Sequence, residues 1–140
     1  MFVVFDLDGT LAKIEHRRHF VEGEKKDWDS FFESCDRDEP NWPVIDTAMA
    51  IRHSGHRVEI WSGRSDVVLV KTRQWLTGVG LGTAVLIMRN QGDRTVDWKL
   101  KQSWVRQYGR PDLVFDDRKS VVDMWRRNGI PCFQVAEGDF

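Results

Sequence analysis

The chain has 140 residues, of which 41% are hydrophobic and 31% charged, and its formal net charge is −1. This length predicts one compact domain, and the mixture of apolar residues with charges of both signs excludes a disordered chain. The near-neutral balance gives no overall attraction to nucleic acid, so any site for a polyanion has to be local.

The sequence contains no signal for export or membrane insertion. No apolar stretch approaches the length needed to cross a bilayer, and Met1 to Phe5 lead directly into acidic residues, unlike a signal peptide. We therefore expect no membrane contact and a location in the cytoplasm. Cys35 and Cys132 are too few for a disulfide framework or a zinc site, so we expect both thiols to be reduced.

The predicted elements alternate between strands and helices along the chain. Residues 2–5 form an apolar run that ends in acidic residues, which is typical of a strand buried on both faces. The same pattern recurs at residues 57–61, 84–88, 113–115 and 131–135. Helical spacing covers residues 43–53, with Asn41 as the expected cap, and also residues 66–76, 97–107 and 119–128. This alternation predicts an α/β Rossmann-like fold, a parallel sheet of about five strands flanked by helices.

One segment, residues 13–41, interrupts the alternation. It is charged, contains several aromatic residues, and has no room for a sheet strand with its own crossover. We predict a small helical flap, or minimal cap, over the site, within a single domain spanning residues 1–140. Trp28 or Phe31 could stack on a nucleobase from this flap, but burial beneath it is the simpler explanation.

Polar residues follow the predicted strands, at the edge of the sheet where sites form in this class of fold. Asp6 and Asp8 come after the first strand, where Gly9 allows the backbone to bend. Asp116 and Asp117 come after a later strand. Carboxylates close together repel each other, and Mg²⁺ with oxygen ligands relieves that repulsion. The pattern therefore predicts a Mg²⁺ site.

Other residues could bind a phosphate group at the same edge. Ser62, Gly63 and Arg64 offer a hydroxyl, backbone N–H groups and a guanidinium group, although this triplet also makes an ordinary turn. Lys99 and Lys101 begin a predicted helix, and the residues alone leave open which of the two reaches the site. The chain has no glycine-rich loop of the Walker A type, which disfavours an ATP-driven kinase.

These residues, in this order, resemble the four ordered motifs of the haloacid dehalogenase-like (HAD) phosphatase superfamily. The motifs are Asp6-Leu-Asp8-Gly-Thr10, then Ser62, then a lysine, then Asp116-Asp117. Within that superfamily the chain is most similar to the 3′-phosphatase domain of T-even phage polynucleotide kinase-phosphatases, over nearly its whole length. The similarity includes Arg17, residues 89–93 and the tail from Asp116 to Phe140. In that domain, the spacing after Arg89 selects Lys101 rather than Lys99.

The resemblance implies a mechanism and a set of roles. Asp6 would attack phosphorus to form an aspartyl-phosphate, and Asp8 would act first as general acid and then as general base. Asp6, Asp8 through its backbone carbonyl, and Asp116 would bind Mg²⁺, with Asp117 in support. The residues expected to bind or stabilise the phosphoryl group are Thr10, Arg17, Ser62, Gly63, Arg64 and Lys101.

The expected substrate is a phosphorylated nucleic acid 3′ end, as in phage nucleic acid repair inside a bacterial host, and no obligate protein partner is expected. The flap of this chain is longer and differently composed than in the related domain, which opens alternatives. One alternative is a 5′-nucleotidase or a phosphatase of small metabolites, which the near-neutral net charge favours slightly. Another is a non-catalytic phosphoacceptor module, although its acidic residues would follow different strands.

Overall fold

The structure is a computed structural model that describes residues 1–138, so the last two residues of the tail named above, Asp139 and Phe140, lie outside the described part. Seven strands run in chain order: β1 (Phe2–Phe5), β2 (Ala12–Lys13), β3 (Glu39–Pro40), β4 (Arg57–Ser65), β5 (Val85–Arg89), β6 (Leu113–Arg118) and β7 (Cys132–Gly138). Five of them form a parallel sheet in the order β5-β4-β1-β6-β7. The predicted α/β fold is confirmed, and β1 is its central strand.

Five α-helices connect or flank the strands. They are α1 (Trp28–Glu33), α2 (Trp42–His53), α3 (Leu69–Gly78), α4 (Asp97–Tyr108) and α5 (Lys119–Arg127). The helix predicted from residue 66 begins instead with a 3₁₀ turn, Asp66–Val68, before α3. Among the described residues, no helix has both the length and the apolar character needed to cross a bilayer.

The core has two parts because successive side chains of a strand point to opposite faces of the sheet. Val3 and Phe5 of β1 pack in one buried cluster with Ile45 of α2 and with residues around α3. Phe2 and Val4 belong to a second cluster that contains the side chains of α4 and α5. Both faces of β1 are therefore covered, which explains its uninterrupted apolar sequence.

Four strands of the described chain, β4 to β7, end later than the sequence predicts, and the extensions of β4 and β6 contain residues expected at the site. β4 was expected to end at Trp61 but runs to Ser65, with a shift of its register against β5 between Ser62 and Ser65. β6 likewise runs to Arg118, with a shift against β7 between Asp116 and Arg118. Irregularities of this kind re-aim side chains next to a site. They place the polar motifs on the sheet rather than in loops beyond it.

The flap is a compact insert that leaves and rejoins the domain at a two-stranded antiparallel sheet, which the sequence did not predict. In this sheet β2 pairs with β3, Ala12 opposite Pro40. Between them lie the 3₁₀ helix Glu15–Val21, helix α1 and the 3₁₀ helix Cys35–Arg37. The flap has a small core of its own. It is therefore a folded substructure, as expected from its aromatic residues.

Asn41 occupies the N-cap position of α2, but its side chain does not cap the helix. Its amide Nδ2 donates instead to the backbone carbonyl of Thr10 at 2.9 Å. The expected position of the cap is therefore confirmed, but the side chain bonds the turn after β1 instead of the helix. Asn41 ties the end of the flap to that turn.

Candidate active site

Three carboxylates meet where β1 and β6 lie side by side. Asp6 follows the last residue of β1, and Asp116 and Asp117 belong to β6. One oxygen from each of these three side chains lies within 4.8 Å of the others, and all three residues are buried. The neighbouring positions of β1 and β6 in the sheet therefore create a compact acidic cluster from opposite ends of the chain.

Gly9 allows the turn after β1 to approach this cluster. Its φ is +82°, a conformation that L side chains rarely adopt. A Cβ atom at this position would lie 2.0 Å from Oδ2 of Asp117. Both the backbone conformation and the lack of space therefore require glycine between Asp8 and Thr10.

Lys101 of α4 supplies a positive charge to the acidic cluster. Its Nζ atom donates to Oδ1 of Asp6 at 2.7 Å and to Oδ2 of Asp116 at 3.1 Å. Burial disfavours the charged ammonium group, but Asp116 and Asp6 outweigh this effect and raise the pKa of Lys101 well above its ordinary value. Lys99 is exposed on the same helix. The structure thus brings Lys101, and not Lys99, to the cluster.

The cluster retains an excess of negative charge. Burial, together with the charge of Asp116, raises the pKa of Asp6 above its usual range. Burial and the Asp116 charge also raise the pKa of Asp117 to about 7. Three carboxyl groups share one ammonium group, so the cluster has more acidic groups than Lys101 can neutralise, and all the acidic donors are oxygen atoms. This set fits a hard divalent cation such as Mg²⁺.

Thr10 lies within the acidic cluster. Its hydroxyl is 3.2 Å from Oδ2 of Asp6 and 3.3 Å from Oδ1 of Asp117, and the residue is fully buried. The resemblance implied a role for Thr10 in binding substrate. In the structure its hydroxyl contacts two carboxylates of the cluster, and the role in substrate binding stays a prediction.

The Asp8 carboxylate is not part of the acidic cluster and contacts two arginines. Arg17 of the flap and Arg64 of β4 both donate to Oδ1 of Asp8, with the Nε and one terminal nitrogen of Arg64 at 2.9 and 2.7 Å. Burial alone would raise the pKa of Asp8, but the two guanidinium groups hold it well below its usual range. The Asp8 side chain is therefore paired with arginines in this structure, and the contact with a metal through its backbone carbonyl stays a prediction.

Asp38, which the sequence analysis missed, holds the same two arginines from the other side. Arg17 donates to its two carboxylate oxygens at 2.7 and 2.6 Å, and Arg64 donates at 2.9 Å. The Asp38 side chain is fully buried. In the sequence, Asp38 belongs to the run Asp-Arg-Asp-Glu, which has the appearance of a solvated charged segment. No local signal could have identified it.

Arg17 and Arg64 are completely buried, as the large charged side chains of a protein seldom are. Both are compensated by Asp8 and Asp38, so the four side chains form one network that joins the flap to β1 and β4. Guanidinium groups match the geometry of phosphate oxygens. The structure therefore places two guanidinium groups next to Asp8, and their role in binding phosphate stays a prediction.

Ser62 and Gly63 lie beside Arg64 in the extended part of β4. The Ser62 hydroxyl accepts a hydrogen bond from the backbone N–H of Arg64 at 3.2 Å. A Cβ atom on Gly63 would lie 2.1 Å from Oδ1 of Asp97, so this glycine permits the close approach of α4. Asp97 was not predicted as a site residue. It is buried, and its carboxylate lies 4.0 Å from Nζ of Lys101 and 3.6 Å from Nη1 of Arg118.

A cavity of about 980 Å³ opens over these groups. Asp6, Asp8 and Asp117 contribute to its floor, and the flap contributes Trp28 and Phe32. The remaining lining includes residues from the segment that joins β5 to α4. The acidic cluster is therefore accessible from a space much larger than a single phosphate group.

A family model matches the chain over its full length. The model describes the polynucleotide kinase PNKP phosphatase domain, and it matches residues 1–140. A viral protein from Autographa californica nuclear polyhedrosis virus, provisionally named a bifunctional polynucleotide kinase/RNA ligase, is 30% identical over 135 residues. That alignment covers 92% of this chain but only 18% of the viral protein.

Solved structures share the fold. A chain in the structure of the Pnkp1/Rnl/Hen1 RNA repair complex superposes with a TM-score of 0.85 at 30% identity, covering 99% of this chain and 43% of that one. A class C acid phosphatase from Bacillus anthracis, solved with tungstate bound, gives a TM-score of 0.66 at 18% identity and covers 99% of this chain and 68% of that one. The chain thus spans less than half of the repair protein that it resembles.

Proposed function

The chain belongs to the polynucleotide kinase PNKP phosphatase domain family, a group of HAD-type phosphatases, and on this premise we propose that it removes 3′-phosphates from nucleic acid ends. The observation that carries this proposal is the buried cluster of Asp6, Asp116 and Asp117 with Lys101 bonded to Asp6. This arrangement offers a nucleophile, a cation site and a compensating ammonium group within one small volume.

Asp6 is the proposed nucleophile. Its carboxylate attacks phosphorus, the bond from phosphorus to the 3′ oxygen breaks, and an aspartyl-phosphate forms on Asp6. Water then attacks the same phosphorus, which releases inorganic phosphate and restores Asp6. Lys101 supports the first step because its ammonium group favours the anionic form of Asp6 and so opposes burial and the neighbouring carboxylates, which raise the pKa of Asp6.

Mg²⁺ is the proposed cofactor. Its proposed ligands are Asp6, Asp116 and the backbone carbonyl of Asp8, with Asp117 in support. When bound, the ion would supply positive charge to the phosphoryl oxygens during transfer. The uncompensated charge of the acidic cluster supports this assignment.

Asp8 is the proposed general acid and base, and its two arginines connect proton transfer with substrate binding. Arg17 and Arg64 hold Asp8 as an anion, the form that accepts a proton from water in the second step. Phosphate oxygens bind the same guanidinium groups and therefore compete with Asp8 for them. Proton donation to the leaving oxygen in the first step requires that the arginines turn from Asp8 to the phosphate.

A nucleic acid end as substrate is supported by the relatives, whose names refer to a polynucleotide kinase and to an RNA repair complex. The size of the cavity also supports a substrate larger than a simple phosphate ester. The proposed location is the cytoplasm, which for a phage-encoded protein is that of the bacterial host.

The test measures phosphate release in the presence of Mg²⁺. The substrates are one oligonucleotide sequence, made as DNA and as RNA, with a phosphate at either its 3′ or its 5′ end, and a set of nucleoside monophosphates. We expect turnover of the 3′-phosphorylated strand and at least a 10²-fold lower rate for the others, roughly what loss of substrate positioning costs. Asp6→Asn is the inactive variant, and Asp46→Asn, on the exposed face of α2, is its matched control. Faster turnover of monophosphates would contradict the 3′-end assignment while keeping the mechanism.

The covalent step has a separate test. With a substrate labelled in its 3′-phosphate, acid quenching should trap the label on the wild-type protein and not on Asp6→Asn. Asp8→Asn should retain more label than wild type, because it lacks the base for hydrolysis of the acyl phosphate. If wild type or Asp8→Asn released phosphate but no label were found on the protein, the aspartyl-phosphate intermediate would be contradicted.

A further inference from the structure

The flap presents an aromatic surface to the cavity that the chemistry of phosphate transfer does not use. Trp28 and Phe32, both half-buried, line the same cavity as Asp6 and Asp8, and we refer to this pair as the aromatic wall. Phe31, between them in sequence, is fully buried. The aromatic wall is therefore the part of the flap core that remains accessible from the cavity.

The ring of Trp28 is held in place by its aromatic neighbours. Its centroid lies 5.5 Å from that of Phe31, nearly perpendicular at 89°, and 5.8 Å from that of Phe32 at 26°. Asp27 caps helix α1 by accepting from the backbone N–H of Ser30, which fixes the residue before Trp28. A ring fixed in this way loses little side-chain freedom when another planar group stacks on it.

The aromatic wall lies beside the reaction site. The guanidinium carbon of Arg118 is 5.8 Å from the centroid of the Trp28 ring. The backbone N–H of Arg118 donates to Oδ1 of Asp116 at 3.2 Å. One residue therefore contacts both the acidic cluster and the ring, so a substrate whose phosphate is at Asp6 has its next groups close to Trp28.

The charges near the ring suit a strand with a phosphate backbone. Lys26 lies 5.7 Å from the Trp28 ring, so two cations, Lys26 and Arg118, accompany it. Of the three acidic residues of the flap at this cavity, Asp27 is engaged as the helix cap, Glu33 forms an ion pair with Lys71, and Asp29 is exposed. An aromatic ring flanked by cations is the usual combination at sites for single-stranded nucleic acid.

From this geometry we propose that Trp28 stacks on a base at the 3′ end of a single-stranded nucleic acid whose terminal phosphate lies at Asp6. The inference rests on the proposed function and names the part of the flap that selects a polynucleotide over small phosphate esters. Every base offers a π face, so the selection is for the presence of a base and not for its identity. Small phosphate esters without a ring gain nothing from this contact.

The test compares Trp28→Leu with wild type on three 3′-phosphorylated single strands. One strand has all its bases, one is abasic at the 3′-terminal nucleotide, and one is abasic at the nucleotide before it. Leucine retains apolar packing against Phe31 but removes the stacking face. We expect kcat/KM of Trp28→Leu to fall about ten-fold on the normal strand, mainly through KM. On the strand that lacks the stacked base, we expect wild type and variant to be nearly equal.

Two further variants separate stacking from damage to the flap. Trp28→Phe keeps an aromatic face and should recover most of the lost kcat/KM. Trp42→Leu makes the same substitution at a half-exposed tryptophan outside the cavity lining and should leave kcat/KM unchanged. The stacking proposal would be overturned if Trp28→Leu lost kcat/KM equally on the normal strand and on both abasic strands. It would also be overturned if Trp28→Leu lost no kcat/KM on the normal strand. Wild-type protein that does not hydrolyse the 3′-phosphorylated strand would overturn the proposed function and this inference with it.

Discussion

Lys101 is the residue on which the charge balance of the acidic cluster depends. Its ammonium group contacts two of the three carboxylates, and its helix begins at Asp97, which also faces the site. Lys99 lies on the same helix but is exposed. The two lysines therefore form a matched pair for testing whether a buried ammonium group is required.

We expect Lys101→Met to lower kcat/KM for phosphate release by about 10²–10³-fold, since it removes a preorganised charge that stabilises the nucleophile and the transferring phosphoryl group. Lys99→Met should stay within about two-fold of wild type. Both are measured by phosphate release under saturating Mg²⁺, with circular dichroism as the check on folding. Comparable rates for the two variants would remove Lys101 from the mechanism.

Residues with a local signal were predictable, and residues with only long-range partners were not. The order of Asp6, Ser62, Asp116 and their strands was visible because apolar runs that end in polar groups mark the carboxyl edge of a parallel sheet. Asp38 has no such mark, since its partners Arg17 and Arg64 are brought to it only by the folded flap. Its burial is a property of tertiary structure.

At the level of elements, the flap and the sheet are joined by a buried charge network. Asp38 lies just before β3, and through Arg17 and Arg64 it connects the flap with β1 and β4. Trp75 of α3 adds a bond from its indole nitrogen to the Asp38 carbonyl at 2.9 Å. The position of the flap over the site is therefore set by ionic and polar contacts as well as by its small apolar core.

Asp38→Ala should destabilise the protein by about 3–5 kcal/mol, because it leaves two buried guanidinium groups with only Asp8 as a counter-charge. Asp36→Ala, two residues away and exposed, should change stability by less than about 0.5 kcal/mol. The measurement is the free energy of unfolding from urea titration. An Asp38→Ala loss no larger than that of Asp36→Ala would show that the network contributes nothing to the flap.

The elements themselves were predicted more accurately than their ends. All five sheet strands were expected, because each is an apolar run with turn residues around it. β4 and β6 nevertheless continue through Ser62–Ser65 and Asp116–Arg118, where polar residues pair with neighbouring strands after a shift of register. Such pairing depends on the adjacent strand and has no counterpart in the local sequence. The small sheet of β2 and β3 was missed for the same reason.

At the scale of the whole molecule, the site opposes folding when no cation is bound. The chain as a whole is almost neutral, with a formal charge of −1, yet three carboxyl groups with one ammonium partner are buried at one edge of its sheet. Sites arranged for function commonly reduce stability in this way. A divalent cation that binds only the folded chain should therefore stabilise it.

This arrangement predicts an unusual dependence of stability on pH in EDTA. The pKa of Asp117 is raised from 3.8 to about 7, so the folded chain binds a proton that the unfolded chain has lost across that interval. Stability therefore falls as the pH rises between these values. We expect the melting temperature in EDTA to fall by about 5 °C between about pH 5 and about pH 8. In Asp117→Asn the melting temperature should depend less on pH.

At about pH 8, added Mg²⁺ should raise the melting temperature of wild type nearly to its value at about pH 5, because the cation replaces the proton at the cluster. The rise should be much smaller in Asp117→Asn. Differential scanning calorimetry in EDTA and in Mg²⁺ measures both effects. A melting temperature in EDTA that rises over the same pH interval would show that the Asp117 pKa is not raised.

The central position of β1 has a consequence for how the protein is made on the ribosome. The proposed nucleophile, Asp6, is synthesised before the rest of its cluster, since Lys101 is 95 positions later and Asp117 is 107 positions from Thr10. At roughly 5–20 residues per second, translation takes on the order of 5–20 s to supply them. Until β6 has emerged and paired with β1, the nascent chain lacks two of the three carboxylates of the acidic cluster. If the proposed mechanism holds, we expect prematurely terminated chains that lack β6 to be inert toward phosphate esters.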